Sequence, residues 1–288
     1  MKDRITLGVV VTSLWIDLEE ETINQTVKKL SKFFDVKLYL PKCKPDEFGS
    51  IPLDLRIELL NKASKECGVL LSYCGGFNQI ELLLELQQLK FKGSNTFVGQ
   101  SDNTILVNAL TKKGVCKSLY GKGFYDMAKD LNMAEQMARE LYEGLTKLKI
   151  KPSALKVLQA GVMEGTLVGG NNYTFDLLQG TEFMPDLSKP FVLFMEGEDL
   201  FKDSKEVWID FIRNIDSVML QKGAIENLRG LIIGKFPGSV AIKKEYWSKF
   251  TEDRDYLKGV PIIYDYPCGH NKESFKYLPI GKEVQIKC

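Results

Sequence analysis

Apolar and polar positions along the first half of the chain follow two rhythms in turn. Short, nearly continuous apolar runs (ITLGVVVTSL, VKLYL, GVLLSYC and NTFVGQ) read as buried strands. Between them lie stretches with apolar residues at helical spacing. ETINQTVKKLSKFF carries Ile23, Val27, Leu30 and Phe34 on one face, and LDLRIELLNKAS and QIELLLELQQLK follow the same pattern. This βαβα alternation predicts a parallel sheet with helices on both faces. A long helical pattern then runs from Tyr125 to about Lys147, and KLKIKPSA reads as a connection.

The pattern changes near Leu155. ALKVLQAGVM, PFVLFME, LRGLIIGKF and VPIIYDY read as strands separated by turns and by one clear helix, VWIDFIRNIDSVML. The expected fold class is α/β in two parts. The N-terminal domain, 1–148, is a three-layer unit built on a parallel sheet, and 149–288 form a smaller mixed α/β domain. In a parallel sheet of this kind, ligands bind where the carboxyl ends of strands turn into helices. Two such turns stand out, Cys74-Gly75-Gly76-Phe77 and Gly99-Gln100-Ser101-Asp102.

Composition narrows the class. The 288 residues are 44% hydrophobic and 27% charged, the balance of a soluble globular protein. A formal net charge of +1 removes any general attraction to nucleic acid or an anionic membrane surface, and neither is expected as a partner. The opening MKDRITLGVVVTSLW has a charged start and an apolar run, as a secretory leader has. Its Val, Ile and Thr content and the acidic IDLEEET that follows favour a buried first strand and a cytoplasmic protein. The six cysteines form no CxxC pair, and reduced thiols are expected. With one histidine a zinc site would need several thiolates, and their spacing does not suggest one, so neither metal nor cofactor is expected.

The candidate chemistry is spread along the chain. His270, the single histidine, follows a strand-like run and a glycine in DYPCGHNKES, which puts a proton-shuttling side chain on a turn at a strand end. Ser101 stands on a strand-to-helix turn, where a hydroxyl is exposed and neighbouring backbone N–H groups can hold an oxyanion. The full G-x-S-x-G pattern is absent, since Asn103 takes the last place. Ser101 or Asp102 equally suits the simpler role of capping the helix TILVNALTKK. Gly75-Gly76 permits a close backbone approach to a substrate or forms a plain turn. Glu196 ends an apolar strand and is placed either to meet solvent or to orient an imidazole, with Glu198 and Asp199 as rivals.

In order along the chain, these segments resemble the LD-carboxypeptidase family, which includes the microcin C self-immunity proteins. The likeness rests on CGGFNQIELLLEL, on the elbow Gly99 to Thr104, and on EGTLVGGN from Glu164 to Asn171. It continues through Gly180 to Pro185, PFVLFMEGED, Gly230 to Lys235, Gly269-His270, and Leu278 to Gly281. The resemblance implies a serine peptidase with Ser101 as nucleophile, His270 as general base and then acid, and Glu196 as its orienting partner. It further implies an oxyanion hole from the N–H groups of Gly76 and Asp102, and substrate-binding positions at Gly75, Phe77 and Asn171. The serine would come from the first domain and the other two members from the second, with the active site in the cleft between them. Homodimers are the family habit.

Three departures from the family pattern stand out, the first and third near the expected substrate. Cys74 precedes the Gly-Gly turn where the family has arginine. Gly197 follows Glu196 in place of an aspartate. Leu119-Tyr120-Gly121-Lys122 lacks the family's proline. The implied reaction is removal of a C-terminal D-amino acid from murein-type peptides in peptidoglycan recycling. The alternative is immunity hydrolysis of peptidyl or aminoacyl nucleotide antibiotics, where a tryptophan stacks on the base. Trp15, Trp208 and Trp247 all lie outside that region, leaving Phe124 and Tyr125 as substitutes or as core residues. A third reading, of another class, is a non-catalytic binding protein for peptides or small molecules. Intact Ser101, Glu196 and His270 argue against it. The roles of Cys74 and Cys268, both beside expected site elements, stay open.

Overall fold

A computed structural model describes residues 4–147, 156–198, 203–238 and 242–288. The chain divides into two compact units, Met1–Leu148 with Phe275–Pro279, and Lys149–Ser274 with Ile280–Cys288.

The first unit alternates strand and helix. Its elements are β1 (Thr6–Val10), α1 (Glu20–Leu30), β2 (Asp35–Tyr39), α2 (Leu53–Glu66), β3 (Val69–Ser72), α3 (Glu81–Leu84), β4 (Thr96–Gly99), α4 (Thr104–Lys112), β5 (Lys117–Tyr120), α5 (Phe124–Lys129) and α6 (Leu131–Lys147). The five strands are all parallel in the order β2-β1-β3-β4-β5. Leu7, Val9, Leu71 and Val98 are buried in a core with Phe34, Phe124 and Met137, because strands covered on both faces are apolar throughout. Helices α1, α5 and α6 touch one another, and α2, α3 and α4 form a separate chain of contacts, as two helical layers require. The parallel register brings strand ends into one row, with Val10 opposite Ser72 and Gly99 opposite Tyr120. Segment Phe275–Pro279 belongs to this unit: Leu278 exchanges backbone hydrogen bonds with Tyr120 at 2.8 and 2.9 Å, and Tyr277 enters the same core.

The second unit is a six-stranded mixed sheet in the order β11-β7-β8-β9-β10-β6. Its elements are β6 (Lys156–Gln159), β7 (Val162–Asn171), α7 (Asn172–Asp176), β8 (Phe191–Glu196), α8 (Ser204–Met219), α9 (Ala224–Asn227), β9 (Leu228–Gly234), α10 (Lys244–Glu252), β10 (Ile262–Tyr266) and β11 (Glu283–Lys287). The central strands β7 to β10 are parallel, and β11 and β6 pair antiparallel at the two edges. Asn171 lies opposite Glu196 at the carboxyl ends of β7 and β8. Trp208 of α8 packs among Phe211, Phe236, Trp247 and Phe250, so two of the three tryptophans serve this core.

Three expected elements are broken. QIELLLELQQLK yields only the short α3 and a single 3₁₀ turn at Leu86–Gln88, with the backbone leaving the helix at Glu85 (φ −119°, ψ 24°). Three successive leucines cannot share one face: Leu82 and Leu83 are buried and Leu84 is 76% exposed. The helix expected from Tyr125 to Lys147 is interrupted at Asp130 (φ −132°, ψ 77°), whose carboxylate accepts from the Met133 N–H and starts α6 afresh. ALKVLQAGVM spans two strands, β6 and β7, on opposite sides of β8 to β10 in the sheet order. Ala154 and Leu155, and the connection KLKIKPSA apart from Lys147, lie outside the described residues.

Candidate active site

In the first unit Ser101 follows β4 directly and has a left-handed backbone (φ 62°), one of only two such non-glycine residues among those described. An L-residue enters that region at a cost, so the surroundings must impose it. Several do. The Ser101 N–H donates to the Tyr120 hydroxyl at 3.0 Å, and Thr104 Oγ1 donates back to the Ser101 carbonyl at 2.7 Å. Gly75 lies against the serine: a Cβ there would stand 2.8 Å from Ser101 Cβ and 3.0 Å from its Oγ, so only glycine leaves the hydroxyl its space.

The elbow and the Gly75–Gln79 loop are tied together by buried polar groups. Asp102 is 3% exposed. Its Oδ2 accepts from the Ser13 hydroxyl at 2.5 Å and from the Gln79 N–H at 2.9 Å. Asn103 Oδ1 accepts from Thr12 Oγ1 and Gln79 Nε2, and its amide donates to the Cys74 and Gln100 carbonyls. Leu14 N–H holds the Gly75 carbonyl at 3.2 Å. Burial raises the pKa of Asp102, while the bonds from Ser13 and Gln79 act the other way. The capping expectation is therefore corrected. The residue before α4 is Asn103, it makes no side-chain cap bond, and the Asp102 carboxylate is turned to Ser13 and Gln79.

In the second unit Glu196, wholly buried at the end of β8, meets His270. His270 Nδ1 lies 2.8 and 2.9 Å from the two carboxylate oxygens, and the His270 backbone N–H donates to Oε2 at 3.0 Å. A carboxylate only accepts, so Nδ1 carries the proton and Nε2 is the basic nitrogen. Gly269 (φ 115°) makes this approach possible, since a Cβ there would fall 2.6 Å from Glu196 Oε2. Asn171 Nδ2 donates to Glu198 Oε1 at 2.7 Å and reaches Glu196 Oε1 at 3.4 Å. Glu198 Oε2 stands 3.8 Å from His270 Nε2. The imidazole thus has Glu196 at one nitrogen and Glu198 near the other. Asp199, the third rival, lies outside the described residues.

Each expected position has a definite place. Ser101, Gly75, Gly76 and Asp102 converge in the first unit, and Glu196, His270 and Asn171 in the second. Phe77 projects with 85% of its surface exposed. Cys74 is a neutral thiol, its pKa pushed up to about 12 by burial first and by Asp126 next. Cys268 is fully buried. Of the aromatic substitutes, Phe124 is a core residue stacked on Tyr73 at 5.6 Å, and only Tyr125 keeps exposed surface. Ser13, Tyr120, Asn103 and Gln79 were not foreseen. Their signal was topological: Ser13 and Tyr120 lie at the carboxyl ends of β1 and β5, the same edge as Ser101. Among the described residues no group of three or more His, Cys, Asp or Glu is arranged to hold a metal ion.

Comparison with known proteins identifies the family. The LD-carboxypeptidase N-terminal domain model matches residues 7–121, and the C-terminal domain model matches 164–286. The chain belongs to the LD-carboxypeptidase family. A Bacillus subtilis relative, named "Putative carboxypeptidase YocD", is 28% identical over 268 residues, covering 84% of this chain and 80% of its own. The crystal structure of an MccF-like protein from Bacillus anthracis superposes with a TM-score of 0.83 at 22% identity, covering 100% of this chain and 94% of that one. Muramoyltetrapeptide carboxypeptidase from Oxalobacter formigenes gives a TM-score of 0.73 at 20% identity, covering 98% and 95%. Related MccF structures hold AMP or aspartyl sulfamoyl adenosine. Among the described residues no helix is long and apolar enough to cross a membrane.

Proposed function

We propose that this member of the family is a serine carboxypeptidase that removes a C-terminal D-amino acid from murein-type peptides. The observation that carries the reading is Ser101 in a left-handed turn at a strand end, with the Gly75 backbone against its hydroxyl. In this mechanism His270 Nε2 takes the Ser101 proton as Oγ attacks the scissile carbonyl. Glu196 holds the Nδ1–H tautomer and stabilises the imidazolium. The N–H groups of Gly76 and Asp102 receive the oxyanion. His270 then protonates the leaving amine, an acyl-enzyme forms, and water releases it by the same steps in reverse.

Hydrolysis of aminoacyl nucleotide conjugates is the second reading, favoured by the MccF-like neighbours. The aromatic residues weigh against it. Trp208 and Trp247 are buried, Trp15 leans on Tyr73 at 4.6 Å, and Phe124 is in the core, so of the tryptophans and their substitutes Tyr125 keeps a partly open ring, in addition to the exposed Phe77 of the Gly-Gly turn. The reading extends to a cytoplasmic homodimer serving peptidoglycan recycling, with light scattering as the check on assembly. The deciding experiment incubates the protein with a murein tetrapeptide and with an aminoacyl sulfamoyl adenylate, and follows both by mass spectrometry. Loss of one D-alanine from the tetrapeptide is expected. Cleavage of the conjugate alone would replace the first reading by the second, and cleavage of neither would point to a binding protein.

A further inference from the structure

Beside the elbow, at the carboxyl ends of β4 and β5, lies a charged cluster that the proposed triad does not use. Lys122 stands two residues beyond β5 with a side chain only 7% exposed, and its Nζ is 3.5 Å from Asp126 Oδ1. That is long for an ammonium and a carboxylate, which in strong pairs approach to about 2.7–2.9 Å. Asp126 is served by other donors. The Gly123 N–H donates to its Oδ2 at 3.0 Å, and Gln100 Nε2 lies 3.3 Å from each oxygen. Gln100, the residue before Ser101, is 5% exposed, and its Oε1 is buried without a hydrogen-bond partner among the described residues. Next to the nucleophile there is thus a cation whose counter-ion is already occupied and a carbonyl that still lacks a donor.

Burying an ammonium is costly unless something pairs with it, and a buried acceptor without a donor is costly too. A single ligand meets both needs. A C-terminal amino acid in peptide linkage presents one N–H donor and, one carbon further on, a carboxylate. The Gln100 side-chain amide, through its Nε2, and the Lys122 ammonium have Asp126 as a shared neighbour. Among the described residues Lys122 Nζ makes no contact shorter than 3.5 Å with a carboxylate, and the Lys122 carbonyl is fixed separately by the Tyr277 hydroxyl at 2.9 Å.

We infer that Lys122 and Gln100 form the subsite for the leaving residue, Lys122 taking the terminal carboxylate and Gln100 Oε1 accepting that residue's amide N–H. This rests on Ser101 being the nucleophile, and it explains in chemical terms why cleavage would be confined to the last residue. An internal peptide bond offers no carboxylate at that point. An endopeptidase built on the same elbow would have no use for a buried cation there.

The test uses the whole chain with Ser101→Ala, which binds without turning over, and the unaltered chain for hydrolysis. Ligands are a murein tetrapeptide ending in D-alanine, its C-terminal carboxamide, and the ester analogue lacking the scissile N–H. By calorimetry the acid should bind about 10- to 100-fold more tightly than the carboxamide, the range expected for a charged hydrogen bond. Adding Lys122→Met should erase that preference and leave carboxamide affinity in place, and Lys122→Arg should keep most of it. The ester should bind more weakly than the peptide, and Gln100→Leu should remove that difference. Equal weakening of acid and carboxamide in Lys122→Met at an unchanged melting temperature would make Lys122 a brace for the elbow and overturn the inference. So would a preference that survives Lys122→Met, or an acid that does not bind. Carboxylate-selective binding without hydrolysis by the unaltered chain would sink the peptidase reading and leave the subsite standing.

Discussion

Ser101 and His270 are held by different physical means. Around Ser101 the work is done by backbone and by hydrogen bonds: a left-handed residue, a glycine backbone against the hydroxyl, and a net of Thr12, Ser13, Gln79 and Asn103. Around His270 it is done by one buried carboxylate that takes both the ring Nδ1–H and the backbone N–H of the same residue. The first arrangement depends on shape and tolerates little change of backbone. The second depends on charge and tolerates none in Glu196. Substitutions in the two regions should therefore fail in different ways.

The largest effect is expected at the nucleophile and base of the proposed mechanism. Ser101→Ala and His270→Ala should each lower kcat by roughly 10⁴-fold or more, and the double variant should lose little beyond either, because groups that act as a unit are not additive. Circular dichroism should show both folded. Near-normal turnover by either single variant would break the triad assignment.

Next comes the contrast between the two glutamates. Glu196→Gln keeps the shape and presents an amide that can donate to the ring, favouring the wrong tautomer, at a cost of about 10³- to 10⁴-fold in kcat. Glu198→Gln, whose carboxylate lies 3.8 Å from Nε2 and is held by Asn171, should cost about tenfold or less, the scale of an outlying charge. The reverse ranking would move the orienting role to Glu198.

Asp102 tests the other side of the comparison. Asp102→Ala removes the acceptor shared by Ser13 and Gln79 and should loosen the loop that carries Gly76. The expected loss is about 10- to 100-fold in kcat with KM little changed, as for mispositioned oxyanion donors. Asp102→Asn retains an oxygen acceptor and should recover most of it. The raised pKa adds a pH signature. Because the folded state holds this proton to higher pH than the unfolded chain, the carboxyl lowers stability as pH rises from the unfolded value, 3.8, through the folded one. Asp102→Asn should remove that fall, read as melting temperature against pH.

The same contrast explains what could be read from the chain. Apolar runs that become β1, β3, β4 and β8 are buried on both faces, so their composition alone marks them. The elbow and the Gly-Gly turn are local, and local order carried them. What escaped is non-local. Ser13 meets Asp102 across 89 positions, and no spacing encodes that pair; the pairing of His270 with Glu196 across 74 came from the family resemblance and not from spacing. Tyr120 under the Ser101 N–H follows only from the register of β4 and β5. The broken helices failed for a related reason: Leu84 and Asp130 fit a helical period, but burial and a local carboxylate cap decided otherwise.

The smallest effect is the most specific to the elbow. If the left-handed turn at Ser101 is imposed by its surroundings, it is stored as strain, and a residue without a Cβ would release it. Ser101→Gly should then be inactive yet more stable than the parent by about 1 kcal/mol, the usual penalty for an L-residue there. Ser101→Ala keeps the Cβ and should show no such gain, so loss of the hydroxyl cannot account for it. Glycine also gains freedom in the unfolded chain, which offsets part of the benefit, so the difference between the two variants is the quantity to measure. No counterpart exists at His270, where Glu196→Gln should leave a buried amide poorly matched to the N–H groups around it and lower stability. Equal stability of Ser101→Gly and Ser101→Ala would mean that the turn is relaxed, and that the serine is presented by the fold without cost.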